Sequence, residues 1–283
     1  MGQKIDTRSI GLDVGLSFIR WLTGAENLHY GLWDGLEVTA SNLRAAQDAY
    51  TEKLFGLLPE GPLRILDIGG GAGETAKKLV ALGHEVEIVV PSAYLASRCR
   101  AQAPQAVVHE MMFEDLQATE RFDLCLFSES FQYIPLSEGL PKCLTLLRPG
   151  GHVILADCFR TPDYRGQPSS TVGGGHFVET FRAALADLPF QTEFEEDITR
   201  SVAASVDLEQ GLYNVFGLAA MRIDDEMALK RPKSRWVLHR IIAAALSKRR
   251  RQRLAQRLFE QSRNADVFCR YNIYLMMKLR APE

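Results

Sequence analysis

No apolar run in this 283-residue chain approaches the roughly 20 residues that a membrane-spanning helix needs. The opening residues, MGQKIDTRSIGLDVG, hold no continuous apolar stretch of the kind a secretory leader carries. Cysteine is scarce. Cys99, Cys125, Cys143, Cys158 and Cys269 include no CxxC pair, which argues against both a disulfide framework and a zinc site. A reducing, cytoplasmic compartment is the expectation. Twelve prolines and 22 glycines are too few for collagen-like or low-complexity material. What is present is an ordinary globular composition, 46% apolar and 24% charged, which excludes a disordered chain. The length allows about two domain-sized units, or one domain with a large extension.

The formal net charge of −2 conceals an asymmetry. Residues 230–263 carry 12 Lys or Arg against one acid, Glu260, and leave the remainder of the chain at −13. A basic block on an acidic body suits an anionic membrane surface, a nucleic acid, or the chain's own acidic face; a plain solvated helix face is the alternative. The cluster lacks interleaved aromatics, which disfavours nucleic acid. WVLHRIIAAAL (236–246) followed by SKRRRQR (247–253) is amphipathic and basic, a pattern suited to lying on an anionic membrane or against a partner helix.

Residues 1–60 are expected to form an N-terminal helical lid. Ser41 opens a helical repeat of Leu43, Ala46, Tyr50, Leu54 and Phe55, and AENLHYGLWDG before it reads as a loop. From Leu63 onward strands and helices alternate. RILDI (64–68), EVEIVV (85–90), AVVHEM (106–111), FDLCLFS (122–128) and HVILAD (152–157) are apolar strand-length runs. Helical patterns over 74–83, 93–102 and 135–147 separate them, with RPGG (148–151) as a turn. CFRTPDYRGQPSSTVGGGH begins a long loop over 158–178, read as a lid or hinge. A strand is expected within 187–198, helices over 202–264, and a last strand over 267–280. Alternation of this kind implies a parallel sheet with right-handed crossovers.

The most informative stretch is ILDIGGGAGET (65–75). Its glycines fall at 69, 71 and 73, after a strand and before a helix, where the backbone must turn sharply and a ligand must approach it. The spacing is G-x-G-x-G rather than the dinucleotide G-x-G-x-x-G, and Asp67 stands two residues before the first glycine. That acid suits an amine or a hydroxyl better than a pyrophosphate, which leaves a nicotinamide-dependent oxidoreductase as a weak rival.

With ILDIGGGAG, FDLCLFSES and LLRPGGHVILAD in order, residues 61–160 resemble a class I S-adenosylmethionine (SAM)-dependent methyltransferase. NLHYGLWDG with the helix after it is similar to the opening of tocopherol, sterol and cyclopropane-fatty-acid type small-molecule methyltransferases. The resemblance implies an α/β fold, a Rossmann-like doubly wound, mostly parallel seven-stranded sheet. It carries an N-terminal helical segment and a helical cap inserted before the last strand. The expected divisions are 1–60 lid, 61–200 SAM-binding core, 201–265 cap with the basic amphipathic helix, and 266–283 final strand.

The resemblance also implies cofactor contacts at Tyr30, Asp67, Gly69, Gly71, Gly73 and Ser128. Two positions depart from the family pattern. Val90, followed by Pro91, stands where an acid usually holds the ribose. Met112, beside Phe113, stands where an Asp often meets the adenine amine. These four residues are nevertheless the expected ribose and adenine neighbours. Because SAM carries an already activated methyl, the protein must mainly align the acceptor and, for a hydroxyl or acidic carbon, supply a base. Glu129, just after the fourth strand, and His176, after a glycine run beginning at Gly173, are the candidate catalytic residues; His29 is a weaker base candidate. No metal is expected.

The function implied is SAM-dependent methyl transfer to a small hydrophobic or lipid-like acceptor, with S-adenosylhomocysteine (SAH) as product. The chain would be cytoplasmic and peripheral to a membrane through 230–263. The rival is a SAM-binding, non-methylating module that docks a membrane or protein partner through the basic helix.

Overall fold

A computed structural model of the chain describes residues 7–118, 121–165 and 174–283, with the backbone alone over 7–12. Its centre is a seven-stranded sheet of order β3-β2-β1-β4-β5-β7-β6. The strands are β1 (Arg64–Ile68), β2 (Glu85–Val89), β3 (Val107–His109), β4 (Phe122–Ser128), β5 (Leu147–Arg160), β6 (Gln191–Asp197) and β7 (Asn272–Arg280). β1 to β5 pair in parallel, whereas β7 runs antiparallel to both of its neighbours. The expected Rossmann-like, mostly parallel sheet is thus present.

Ten α-helices are described: α1 (Thr7–Thr23), α2 (Leu43–Phe55), α3 (Glu74–Ala81), α4 (Ala93–Gln102), α5 (Gly139–Leu146), α6 (Val178–Ala186), α7 (Thr199–Lys230), α8 (Pro232–Ala245), α9 (Lys248–Phe259) and α10 (Ala265–Tyr271). The continuous apolar run in β4 is explained by burial on both faces. Leu124 and Leu126 join one core with Ile65, Ile88, Ile154 and Met276. Cys125 and Phe127 join the opposite core with Leu66, Val153, Leu275 and Phe181. Successive side chains of a strand point to opposite faces, so a strand covered on both sides needs apolar residues at every position.

Two of the boundaries that differ from the sequence expectation have a local physical reason. The RPGG segment lies inside β5 rather than before it. Phe122 pairs with Leu147 and Leu124 with His152, so the extra residues bulge out of one continuous strand. Gly150 takes φ 71° there, and its N–H donates to the Pro282 carbonyl at 2.8 Å. The last strand begins at Asn272 rather than residue 267. The β-prone Val267–Tyr271 stretch is helical because Asn264 caps α10, its side chain accepting from the Val267 N–H. A local cap outweighs the weak strand preference of Val, Phe and Tyr.

The aromatic segment before α2 is an ordered strap. Leu32 N–H donates to Ala46 O (2.8 Å) and Trp33 N–H to Ser201 O (2.9 Å), which ties the segment between α2 and α7. The Trp33 indole N–H donates to Ser205 Oγ at 2.8 Å. Gly31 is required there: a Cβ would sit 2.5 Å from Ala46 Cβ. No helix among the described residues is long and apolar enough to cross a membrane.

Candidate active site

Ligands on open α/β sheets bind beyond the carboxyl ends of the strands, and the main cavity lies there. Its volume is about 470 Å³, within the usual range for small-molecule sites. It is walled by the β1–α3 turn, the ends of β2 and β4, the 112–114 segment and the strap residues Glu26–His29.

The β1–α3 turn is built from glycines with distinct duties. Gly69 has φ 74°, and a Cβ there would collide with Ser130 Cβ. That close approach lets the Ser130 hydroxyl donate to the Ile68 carbonyl. Gly70, which the sequence reading did not single out, leaves space for the Asp67 carboxylate: a Cβ would sit 2.6 Å from Asp67 Oδ2. Gly71 (φ 54°) borders the cavity with only Leu28 Cδ1 nearby, at 3.9 Å. Gly73 does not line the cavity. It sits at the N-terminus of α3, where a Cβ would come within 2.8 Å of Cys99 Cα, so it serves the packing of α3 on α4.

Asp67 is 1% exposed, and its Oδ2 has no hydrogen-bond partner. Burial pushes its carboxyl up to about 7. An unpartnered buried acid is costly, and it marks a place where a donor or a cation belongs. A second orphan lines the same cavity: Asn27, 3% exposed, leaves Nδ2 unbonded. Gln47 of α2 holds the strap backbone beside it, donating to Asn27 O (3.2 Å) and His29 O (2.9 Å). Beside Asn27, Glu26 is locked by Arg98, whose Nε donates at 2.9 Å.

Glu129 follows β4 with φ 58°, an uncommon conformation for a side-chain-bearing residue and one that stores about 1–3 kcal/mol. Its Oε1 accepts from the Tyr30 N–H (2.7 Å) and the Tyr274 hydroxyl (3.0 Å). Both bonds end on one oxygen, which leaves Oε2 available. Burial, reinforced by the nearby Asp157 charge, pushes the Glu129 carboxyl up to about 8. The hydroxyls continue the network: Tyr274 lies 2.9 Å from Tyr50, and Tyr50 3.3 Å from Ser128 Oγ. Asp157, fully buried, accepts from Gln132 N–H (3.0 Å) and Cys158 N–H (2.7 Å).

The cavity lining brings together Asp67, Gly69, Gly71, Val90, Pro91, Met112, Phe113, Ser128 and Glu129 of the expected set. It does not include Tyr30 or His176. Tyr30 contributes its backbone N–H to Glu129, while its ring packs edge-on against Phe268 at 5.9 Å. His176 lies behind the lining, its Nε2 2.8 Å from the Ile134 carbonyl and its ring against Phe131. The glycine run before it begins at Gly173, outside the described residues. His29 lines the cavity, but burial lowers its pKa to about 4, so it is a neutral ring stacked on Tyr50 at 4.5 Å. The helices after residue 198 supply no cavity-lining residue among those described.

Sequence reasoning missed Asn27, Tyr50, Ser130, Asp157 and Tyr274. Tyr50 and Tyr274 look like core positions of a helix and a strand, and nothing local distinguishes them.

Residues 66–155 match the model of a family described as "Methyltransferase domain". An uncharacterized methyltransferase of Mycobacterium tuberculosis is 29% identical over 103 residues, 36% of this chain and 42% of that protein. A ubiquinone biosynthesis O-methyltransferase of Nitrobacter winogradskyi is 34% identical over 94 residues, 31% of this chain and 36% of that protein. The chain therefore spans about two-fifths of the length of the curated relatives it matches. Solved structures align over nearly the whole chain. The cyclopropane synthase MmaA2 of Mycobacterium tuberculosis aligns with TM-score 0.68 and 15% identity, over 99% of this chain and 100% of that one. Geranyl diphosphate C-methyltransferase of Streptomyces coelicolor A3(2), solved with Mg2+, geranyl-S-thiolodiphosphate and S-adenosyl-L-homocysteine, gives 0.63 and 15% over 98% and 99%. Sheet order, glycine turn and family match agree on a Rossmann-like methyltransferase domain over residues 66–155.

Proposed function

We propose that this chain transfers a methyl group from SAM to a small hydrophobic or lipid-like acceptor. One observation carries the reading: the unpartnered Asp67 carboxylate beneath an open glycine turn, in a cavity large enough for a small molecule. The residues present fit the cofactor. Asp67 Oδ2 is suited to a cationic amine or a hydroxyl, and the bare backbone at Gly69 and Gly71 admits close approach. Val90, Met112 and Phe113 offer apolar walls for a base or sugar face. Asn27 Nδ2 and Ser92 supply polar atoms where the family's acid is missing.

SAM, when bound, supplies a methyl carbon on a positively charged sulfur, open to in-line attack. The chain supplies the rest. Glu129 accepts a proton at Oε2 while Tyr30 and Tyr274 hold Oε1. Its pKa near 8 suits proton transfer near neutral pH. The strap residues Glu26–His29 cover one side of the cavity and exclude water there. The apolar preference rests on Leu28, Phe113 and Ile134 in the lining, and on half-exposed Met112 and Tyr133 at its edge. The curated relatives are matched over part of their length, so their acceptors guide the screen without defining it.

Calorimetry with SAM and SAH tests the cofactor half of the reading: micromolar binding supports it, and no binding by a folded protein refutes it. Release of SAH with quinone-like or lipid acceptors tests the transfer itself.

A further inference from the structure

The methyl-transfer reading leaves the basic block at 230–263 without a role. α8 contains no buried residue, yet it displays Trp236 (65% exposed), Val237 (48%), Leu238 (39%), Ile241 (58%) and Ile242 (40%). A water-facing helix does not need five large apolar residues. At 100° per residue, Val237, Leu238, Ile241 and Ile242 fall on one arc. Arg235 and His239 fall on the adjoining arc, and both hold Asp224 of α7: Arg235 Nε and Nη2 at 2.9 and 2.8 Å, His239 Nε2 at 2.8 Å. α8 is therefore docked on α7 by its polar side, and its aliphatic arc is left uncovered.

α9 continues directly as KRRRQRLAQRLF. Lys248, Arg249, Arg250 and Arg251 are exposed and, among the described residues, make no ion pair; Arg231 and Lys233 at the start of α8 are the same. Arg240 lies over the Trp236 ring at 5.6 Å, placing a cation beside the largest exposed aromatic. Unpaired cations next to an uncovered aliphatic arc form the two halves of an interfacial lipid-binding surface. A second copy of the chain is a poor occupant, because the same face would set two basic clusters against each other. A nucleic acid would leave the aliphatic residues without a role.

We propose that α8 and the first turns of α9 seat the protein on an anionic lipid surface, with Val237, Leu238, Ile241 and Ile242 entering the interface and Lys248–Arg251 contacting the headgroups. Attachment is reversible and salt-sensitive, since the cations act within a Debye length of the surface. The proposal stands apart from the methyl-transfer reading, because vesicle binding is measured without cofactor or acceptor.

The test is co-sedimentation of the full-length protein with vesicles of phosphatidylcholine alone and of phosphatidylcholine with phosphatidylglycerol. Pelleting on the mixed vesicles only, fading as salt rises, is the expected result. The triple variant Arg249→Gln, Arg250→Gln, Arg251→Gln should weaken apparent affinity on the order of a hundredfold. The double variant Ile241→Ser, Ile242→Ser should weaken it about tenfold or more, at unchanged charge. All five positions are exposed, and circular dichroism with thermal melting checks that the fold is kept. Equal pelleting on neutral and anionic vesicles would overturn the proposal, as would wild-type affinity in either variant. Binding of a short RNA or DNA without vesicle binding would assign the surface to nucleic acid. A dimer dispersed by the isoleucine variant, with vesicles ignored, would assign it to a second copy. Each of those two outcomes also overturns the proposal.

Discussion

The Tyr274 hydroxyl donates to Glu129 Oε1 at 3.0 Å across 145 residues of chain. The last strand of the sheet thereby braces the one side-chain-bearing residue of the β4 end that is held at positive φ. The same Tyr274 oxygen lies 2.9 Å from Tyr50, so α2, β4 and β7 converge on one carboxylate.

Removing that brace tests its role. The bond from Tyr274 favours the charged form of Glu129 and so lowers its pKa from what burial alone would impose. Tyr274→Phe should therefore move the rising limb of the pH–rate profile to higher pH. It should lower turnover about tenfold while leaving SAH affinity unchanged. A purely structural role for Tyr274 would reduce stability without moving the limb.

Asp67→Asn keeps the size of the side chain and removes its charge. A hydrogen bond to a charged group contributes about 1.5–3 kcal/mol, so SAM and SAH affinity should fall on the order of tenfold to a hundredfold. Calorimetric affinity equal to wild type would remove Asp67 from the cofactor site.

Three enclosed carboxyls set the pH dependence of stability in the ligand-free protein. Burial raises Asp67 and Asp157 to about 7 and Glu129 to about 8. Between their unfolded values near 4 and these raised values, the folded state binds more protons than the unfolded one. Their contribution therefore favours the folded state at low pH and is lost as pH rises through about 7 to 8. Melting temperature without ligand should decline from pH 6 to about pH 9, and SAH should flatten the decline by pairing Asp67. The Asp67→Asn variant should show a shallower decline on its own.

Gly69 and Gly71 should respond differently to the same change. Gly69→Ala forces a Cβ into Ser130 and should destabilise the fold by about 1–3 kcal/mol in denaturant titration. Gly71→Ala meets open space, with strain of only about 1 kcal/mol from its positive φ, and should mainly weaken SAM binding.

Glu129→Gln and His176→Asn separate the two candidate bases. The first should lower turnover by about a hundredfold or more. The second should change it by no more than a few-fold, because His176 bonds the Ile134 carbonyl behind the cavity wall. A large loss in the histidine variant with unaltered stability would return His176 to the catalytic machinery.

The sequence by itself determined the parallel part of the sheet and the glycine turn after β1. The continuous apolar run of β4 needs burial on both faces, and glycines at 69, 71 and 73 mark a sharp turn between a strand and a helix. Asp67, Ser128 and Glu129 were legible for the same reason: each sits within a few residues of a strand's carboxyl end. Tertiary structure decided the rest. Tyr50 and Tyr274 reach Ser128 and Glu129 through contacts spanning scores of residues, and local pattern holds no trace of a hydrogen bond between distant segments. Asn264 decided where the last strand began, since a cap acts on one turn and overrides a weak propensity. The helices inserted before the last strand were expected as a cap, and none of their described residues lines the cavity. The strap residues Glu26–His29 border it instead, because Gln47 and Gly31 hold the strap backbone against α2.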